Sequence, residues 1–108
     1  MSALAAWLGP GARHEGALTL SGPTRLEGEL RGALICDDFV EIGATAVVHG
    51  DVEAPQVLVE GTVLGAVRAR ERVTVAPTGR VEGRVVTPWL DVRLGARLRG
   101  EVAVDRPA

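Results

Sequence analysis

Apolar and polar residues alternate along most of this chain, in short bursts that glycine interrupts. The pattern apolar-x-Gly-x-apolar occurs as LEGEL (26–30), VHGDV (48–52), VLGAV (63–67), VEGRV (81–85) and LRGEV (98–102). Second bursts lie between these motifs and also end in glycine: LTLSG (18–22), FVEIG (39–43), VLVEG (57–61), VTVAPTG (73–79) and LDVRLG (90–95). Alternation places every second side chain on one side of an extended strand. Both kinds of burst therefore predict short, half-buried β-strands.

The bursts repeat along the chain. The glycines of one series follow one another at intervals of 18, 15, 18 and 17 residues: Gly32, Gly50, Gly65, Gly83 and Gly100. We interpret the repeat as a unit that contains two short strands and a glycine-rich corner. A unit this short cannot bury its own apolar face, whereas stacked units can. The pattern predicts an all-β, single-stranded parallel β-helix (a solenoid) of about 5–6 coils, each of roughly 17–18 residues.

The alternation also predicts which side chains face the interior of the solenoid. The predicted inward residues are Val57, Val59, Val63, Val67, Val73, Val75, Val81 and Val85. Phe39 begins the burst FVEI and is expected to fill the core, while charged residues such as Glu60, Arg80 and Glu82 are expected to be solvated. Adjacent carboxylates point apart on a strand, so Asp37 and Asp38 are not expected to form a metal or acid–base site.

The two ends of the predicted solenoid carry no visible cap. The last coil, LRGEVAV (98–104), runs directly into DRPA, and only a short segment with glycine and proline precedes the first coil at 18–30. Uncapped strands are templates for association with another chain. The predicted interface for self-association consists of Leu18, Leu20, Leu26, Leu98, Val102 and Val104.

The sequence resembles the bactofilins, a family of bacterial polymer-forming cytoskeletal proteins. The resemblance covers roughly residues 15–104 and rests on EGALTLSGPTRLEGELRGAL, FVEIGATAVVHGDVEA, VLVEGTVLGAVRARERVTVAPTGRVEGRVVTP and LDVRLGARLRGEV. It implies a right-handed triangular β-helix that assembles without nucleotide, end to end, into filaments or bundles. It suggests that like ends join, and that the polymer scaffolds cell shape or the cell envelope. The short C-terminal tail departs from the pattern of the family.

The resemblance and the repeat together divide the chain into three parts. Residues 1–14 are expected to form an N-terminal tail, residues 15–104 the β-helix, and residues 105–108 a short C-terminal tail. Met1, Leu4, Trp7 and Leu8 have helix-like spacing, which predicts either a disordered or core-docked tail or a short interfacial membrane contact. The expected location is the cytoplasm, at the inner face of the cytoplasmic membrane if this contact forms.

Charge is distributed unevenly along the sequence. The whole chain of 108 residues has a formal net charge of −2, which gives no reason to expect nucleic-acid binding. Residues 1–64 nevertheless carry three Arg against nine Asp and Glu, and residues 65–108 carry nine Arg against five. Because position in the sequence becomes position along a solenoid, the predicted molecule is a charge dipole. Such a dipole could align neighbouring subunits side by side.

Three classes of function are considered for a chain with this pattern. A structural polymer subunit, whose partners are further copies of itself and cell-envelope proteins, is favoured by two open apolar ends. An enzyme is disfavoured, since the one Cys and two His have no partner nucleophile or ligand spacing, and no cofactor is expected. The third class is a non-polymerising adaptor that binds a partner by strand addition at an open end.

Overall fold

The fold is built from β-strands. A computed structural model describes the backbone of residues 6–104 and the side chains of residues 9–103. This part of the chain contains no helix that could cross a membrane. The strands, in chain order, are β1 Ala6–Leu8, β2 Arg13–Glu15, β3 Leu18–Leu20, β4 Thr24–Leu26, β5 Glu29–Arg31, β6 Leu34–Cys36, β7 Val40–Ile42, β8 Val47–His49, β9 Val52–Val59, β10 Thr62–Val75, β11 Arg80–Thr87, β12 Leu90–Val92 and β13 Arg97–Val104.

The strands stack as a β-solenoid with three ladders, and all the pairings among residues 6–104 are parallel. The chain passes once through each ladder before it begins the next coil. The first ladder contains residues 6–8, 24–26, 40–42, 57–59, 73–75 and 90–92. The second contains residues 13–15, 29–31, 47–49, 62–64, 80–82 and 97–99. The third contains residues 18–20, 34–36, 52–54, 67–69, 85–87 and 102–104.

Each coil thus has three strand segments, and the prediction of two per repeat was wrong. The error lies in the apolar-x-Gly-x-apolar motif. In VLGAV, Val63 belongs to the second ladder and Val67 to the third, and Gly65 lies at the corner between them. Both valines point inward, so the alternation of apolar residues continues across the corner. The sequence pattern therefore does not reveal that a corner is present.

The core is a set of vertical columns of small aliphatic side chains. In the second ladder, Leu30, Val48, Val63 and Val81 lie above one another with no exposed surface. All eight valines predicted to point inward are buried, with exposed fractions of 0–2%. Burying one such side chain stabilises a fold by about 1.5–3 kcal/mol. Since each inward residue of an inner coil packs between the coils on either side of it, this stabilisation is shared along the stack.

Two series of glycines allow the coils to stack closely, for different reasons. Gly83 turns the corner between the second and third ladders with a φ of 141°, a conformation that L side chains rarely adopt. A Cβ there would also collide with the carbonyl oxygen of Gly65, one coil earlier. Gly61, at the corner between the first and second ladders, has no positive φ, but its Cβ would collide with the carbonyl oxygens of Gly43 and Ala46. Gly61 is therefore required by close approach of the backbone rather than by an unusual dihedral angle, whereas Gly95, at the same corner of the last coil, has a φ of 95°.

Two further predictions differ from the structure. Phe39 is only half-buried, because Val40 pairs with Thr24 and Val57 and so takes the inward position. The solenoid also begins before residue 15. Segment 6–8 pairs with β4 and segment 13–15 pairs with β5, which places both in the ladders rather than in the expected tail.

Candidate functional site: the two ends of the solenoid

Each end of the described solenoid presents three strand segments that are paired on one side only. At the N-terminal end these are residues 6–8, 13–15 and 18–20, and at the C-terminal end residues 90–92, 97–99 and 102–104. No other segment within residues 6–104 pairs with their outer edges. Every outer edge therefore presents backbone N–H and C=O groups that a further parallel or antiparallel strand could satisfy.

The C-terminal end is apolar at its inward positions. Val92 and Val102 are 44% and 41% exposed, whereas the residues one coil before them, Val75 and Val85, are 0% and 1% exposed. Leu98 is half-buried at the corresponding position of the second ladder. The predicted interface residues Leu98 and Val102 thus lie at this end. Val104 is paired with Thr87 through the backbone in the same terminal segment.

Residues that the sequence reasoning missed also lie at the C-terminal end. Leu90 and Val92 belong to the last segment of the first ladder and align with Val73 and Val75. Leu94, at the following corner, is 96% exposed. The burst LDVRLG matches VTVAPTG one coil earlier, and that alignment is the signal that could have identified Leu90 and Val92.

The N-terminal end combines apolar residues with a polar one. Leu18 and Leu20 are half-buried in the first segment of the third ladder, as predicted for an end position. In the second ladder the inward position belongs to His14, which pairs with Leu30 of the next coil. The prediction that Leu26 belongs to the interface was wrong. Leu26 is 2% exposed, because β1 covers β4 and moves Leu26 into the second coil.

The predicted membrane contact lies partly outside the described residues. Met1 and Leu4 are not described. Trp7 and Leu8 belong to β1, where their backbones pair with Arg25 and Leu26, so this pair lies in a strand and not in a helix. The contact itself stays a prediction.

Ion pairs follow the uneven charge along the molecule. In the N-terminal half, Glu29 lies 3.3 Å from Arg13, 3.8 Å from Arg31 and 3.4 Å from His49. Arg25 pairs with Glu27 at 2.9 Å, so all three arginines before residue 65 have a carboxylate partner. Six arginines of the C-terminal half form no ion pair with any described residue: Arg68, Arg70, Arg72, Arg80, Arg97 and Arg99. Their charge is available to a partner.

The described residues offer little that resembles a catalytic centre. No group of three or more His, Cys, Asp and Glu side chains among them could hold a metal ion. The thiol of Cys36 is 4% exposed, and it donates a hydrogen bond to the carbonyl oxygen of Gly22 at 3.2 Å. In this arrangement Cys36 packs as a core residue.

Comparison with known proteins points to the same stretch of chain. A family model described as "Bactofilin: Polymer-forming cytoskeletal" matches residues 6–103. Bactofilin BacP of Myxococcus xanthus (strain DK1622) is 28% identical over 95 residues, which cover 88% of this chain and 40% of BacP. Bactofilin BacO of the same organism is 26% identical over 80 residues, which cover 74% of this chain and 64% of BacO.

The chain therefore spans less than two thirds of the length of either relative. No solved structure matches it. The residues matched by the family model coincide with the stacked coils, from β1 to the last segment of β13. The open-ended solenoid is thus the part that this chain shares with its relatives, and the chain belongs to the bactofilin family of polymer-forming cytoskeletal proteins.

Proposed function

We propose that this protein is a structural subunit that assembles end to end, without nucleotide, into filaments and bundles that scaffold cell shape or the cell envelope. One observation carries the proposal. Both ends of the described solenoid present unpaired strand edges around inward-facing apolar side chains, and those side chains are half-buried or exposed because no coil among the described residues covers them.

If two terminal coils meet, each would supply the hydrogen-bond partners and apolar contacts that the other lacks. Strand edges would gain hydrogen bonds, and the apolar side chains Leu90, Val92, Leu98 and Val102 would lose their contact with water. Removing apolar surface from water contributes about 25 cal/mol per Å². All the groups that make this joint are already present in the coils, so the joint requires no nucleotide, metal or cofactor. On this proposal the protein is not an enzyme.

The alternative is an adaptor whose open end binds a different protein by strand addition. The same edges would serve that function, but the purified protein would then remain monomeric or dimeric. Self-assembly in the absence of any other protein is therefore the observation that separates the two functions.

Negative-stain electron microscopy of the purified chain, without nucleotide or metal, tests the proposal. Val102→Arg places a charge at an inward position of the last coil, and Ala103→Arg places the same charge at the neighbouring outward position. We expect filaments from the native chain and from Ala103→Arg, and short particles from a folded Val102→Arg. Discrete particles from all three proteins would refute the scaffold and favour the adaptor.

We also propose that the polymer contacts a membrane surface through its N-terminal segment and that cell-envelope proteins are among its partners. Because one filament carries many copies of this segment, avidity would strengthen membrane binding that is weak for a single copy. Because residues 6–8 form part of the first coil, the variant to test lacks only residues 1–5. Filaments of this variant should co-sediment less with phospholipid vesicles than native filaments do, and equal co-sedimentation would refute the contact.

A further inference from the structure

The corner between the third and first ladders forms a continuous ridge along the solenoid. It consists of residues 21–23, 37–39, 55–56, 70–72 and 88–89, one segment from each of the first five coils. Segments 37–39 and 70–72 are longer than segment 55–56, and the register shifts between Ala69 and Arg72 where the chain takes one extra residue. The ridge therefore carries longer segments on either side of its middle.

Contacts between successive coils hold the ridge in place. The backbone N–H of Gly22 donates to Asp37 at 2.8 Å, and the amide of Gln56 donates to Glu71 at 3.3 Å. The guanidinium of Arg72 lies 5.8 Å from the ring centroid of Trp89, within the range of a cation–π contact. Glu71 keeps its negative charge when it accepts this hydrogen bond, so segment 70–72 carries two positive charges and one negative charge.

The ridge is acidic at one position and basic at another. Asp37 and Asp38 are exposed in the second coil, and Arg70 and Arg72 are exposed in the fourth. None of the four forms an ion pair with another described residue. Coils are about 4.8 Å apart, so the two charge pairs lie about 10 Å apart along the solenoid axis, on opposite sides of segment 55–56.

This spacing is self-complementary under a two-fold axis. If a second copy lies antiparallel with its segment 55–56 against the same segment of the first, the second coil of one copy faces the fourth coil of the other. Each acidic pair then meets the partner copy's basic pair, twice in one contact. The fifth coil faces the first, which brings Trp89, 54% exposed, against the loop that contains Pro23. An isologous contact needs this kind of symmetric placement.

We propose that the ridge is the lateral contact of this protein, in which a second copy binds antiparallel through Asp37 and Asp38 against Arg70 and Arg72. The proposal rests on the proposed filament. One ridge contact is small and its ion pairs are exposed, so an isolated pair of subunits would gain little from it. A filament repeats the contact along its length, and the repeated weak contacts add up to stable pairing. The ridge thus explains bundling without contributing to the end joints.

Charge reversal and charge exchange test the ridge. D37R/D38R replaces the acidic pair with a second basic pair, R70D/R72D replaces the basic pair with a second acidic pair, and the fourfold variant exchanges the two pairs without changing net charge. R68D/R80D, on the third and second ladders of inner coils, changes net charge as much as R70D/R72D does but lies off the ridge and away from both ends. Bundles are collected by low-speed sedimentation and single filaments by high-speed sedimentation, and electron microscopy identifies each.

We expect each ridge reversal to lower the low-speed fraction by about fivefold while the high-speed fraction shows that filaments persist. The fourfold exchange should restore bundling, and R68D/R80D should leave it unchanged. Native filaments that do not bundle, reversals that still bundle, or an exchange that does not restore bundling would each overturn the ridge contact while leaving the filament in place. A native chain that sediments at neither speed would refute the proposed filament and the ridge contact with it.

Discussion

The two ends of the solenoid differ in what they would bring to a joint. At the C-terminal end, all the described inward positions are apolar, and Val92 and Val102 keep more than two fifths of their surface exposed. At the N-terminal end, Leu18 and Leu20 are half-buried, and His14 takes the inward position of the second ladder. Burying an imidazole without a hydrogen-bond partner costs free energy that burying Leu98 does not. We therefore expect the C-terminal end to form the stronger joint.

The same contrast appears in the charges. Arginines in the N-terminal half are paired within the chain, as Arg13 and Arg31 are with Glu29. Arg97 and Arg99, on the terminal segment of the second ladder, have no such partner among the described residues. Joining two C-terminal ends would thus bring like charges together around an apolar centre. At the C-terminal end, which has the larger exposed apolar surface, burial of that surface would favour a joint, whereas repulsion between like charges would oppose it.

The largest effect should come from blocking one end at a time. Val92→Arg disables the C-terminal end and Leu20→Arg the N-terminal end, and both should abolish filaments. If like ends join, as expected for this family, each variant retains one working joint and forms dimers. Sedimentation equilibrium should then give a dimer about tenfold tighter for Leu20→Arg, whose C-terminal joint is intact.

The outcome also reports the polarity of the filament. Monomers from both variants, at concentrations where the native chain forms filaments, would show that unlike ends join. Equal dimer affinities would contradict the inequality of the two ends. Circular dichroism of each variant should match the native spectrum, which verifies that the solenoid remains folded.

A smaller effect should follow from making the N-terminal end resemble the other coils. His14→Leu supplies the apolar side chain that Leu30 and Leu98 provide at the same position of later coils. In the Val92→Arg background, where only N-terminal joints form, we expect the dimer to tighten by about tenfold, which corresponds to about 1.4 kcal/mol. An unchanged or weaker dimer would show that His14 does not face the joint. His14→Gln, which stays polar, is the matched control.

Ionic strength should have the smallest effect. An increase should strengthen the end joints and weaken the ridge contact. Raising ionic strength screens the like charges around a C-terminal joint and also screens the opposite charges that would pair along the ridge. We expect the critical concentration for filaments to fall by about twofold while light scattering from bundles decreases. Filament length and bundle scattering that are both constant from low to high salt would count against a role for charge in either contact.

Much of the fold could be predicted because one requirement repeats in every coil. Every coil needs inward aliphatic residues and a glycine where its backbone meets that of the coil before it. Residues equivalent to Val63 and Gly83 therefore recur at regular intervals along the sequence. The number of ladders could not be counted in the same way. A corner that glycine turns does not interrupt the alternation of side chains, so two segments appear as one.

The ends were harder to predict than the middle. In the first coil His14 stands where later coils have the leading apolar residue of the apolar-x-Gly-x-apolar motif, so the motif around Gly16 was not recognised. Once segment 6–8 was taken for a tail, Leu26 appeared to be terminal. The charge asymmetry is visible in the sequence, but the pairing of Glu29 with Arg13 and His49 depends on which residues lie one coil apart. Those neighbours are known only when the length of every coil is known.

Fibre diffraction from oriented native filaments tests the central claim most directly. If subunits stack end to end with their solenoid axes along the filament, the spacing between coils of about 4.8 Å should appear as a reflection on the meridian. A strong reflection at that spacing on the equator would show that the solenoids lie across the filament. The terminal coils would then not be the joints, and the end-to-end assembly proposed for this protein would be wrong.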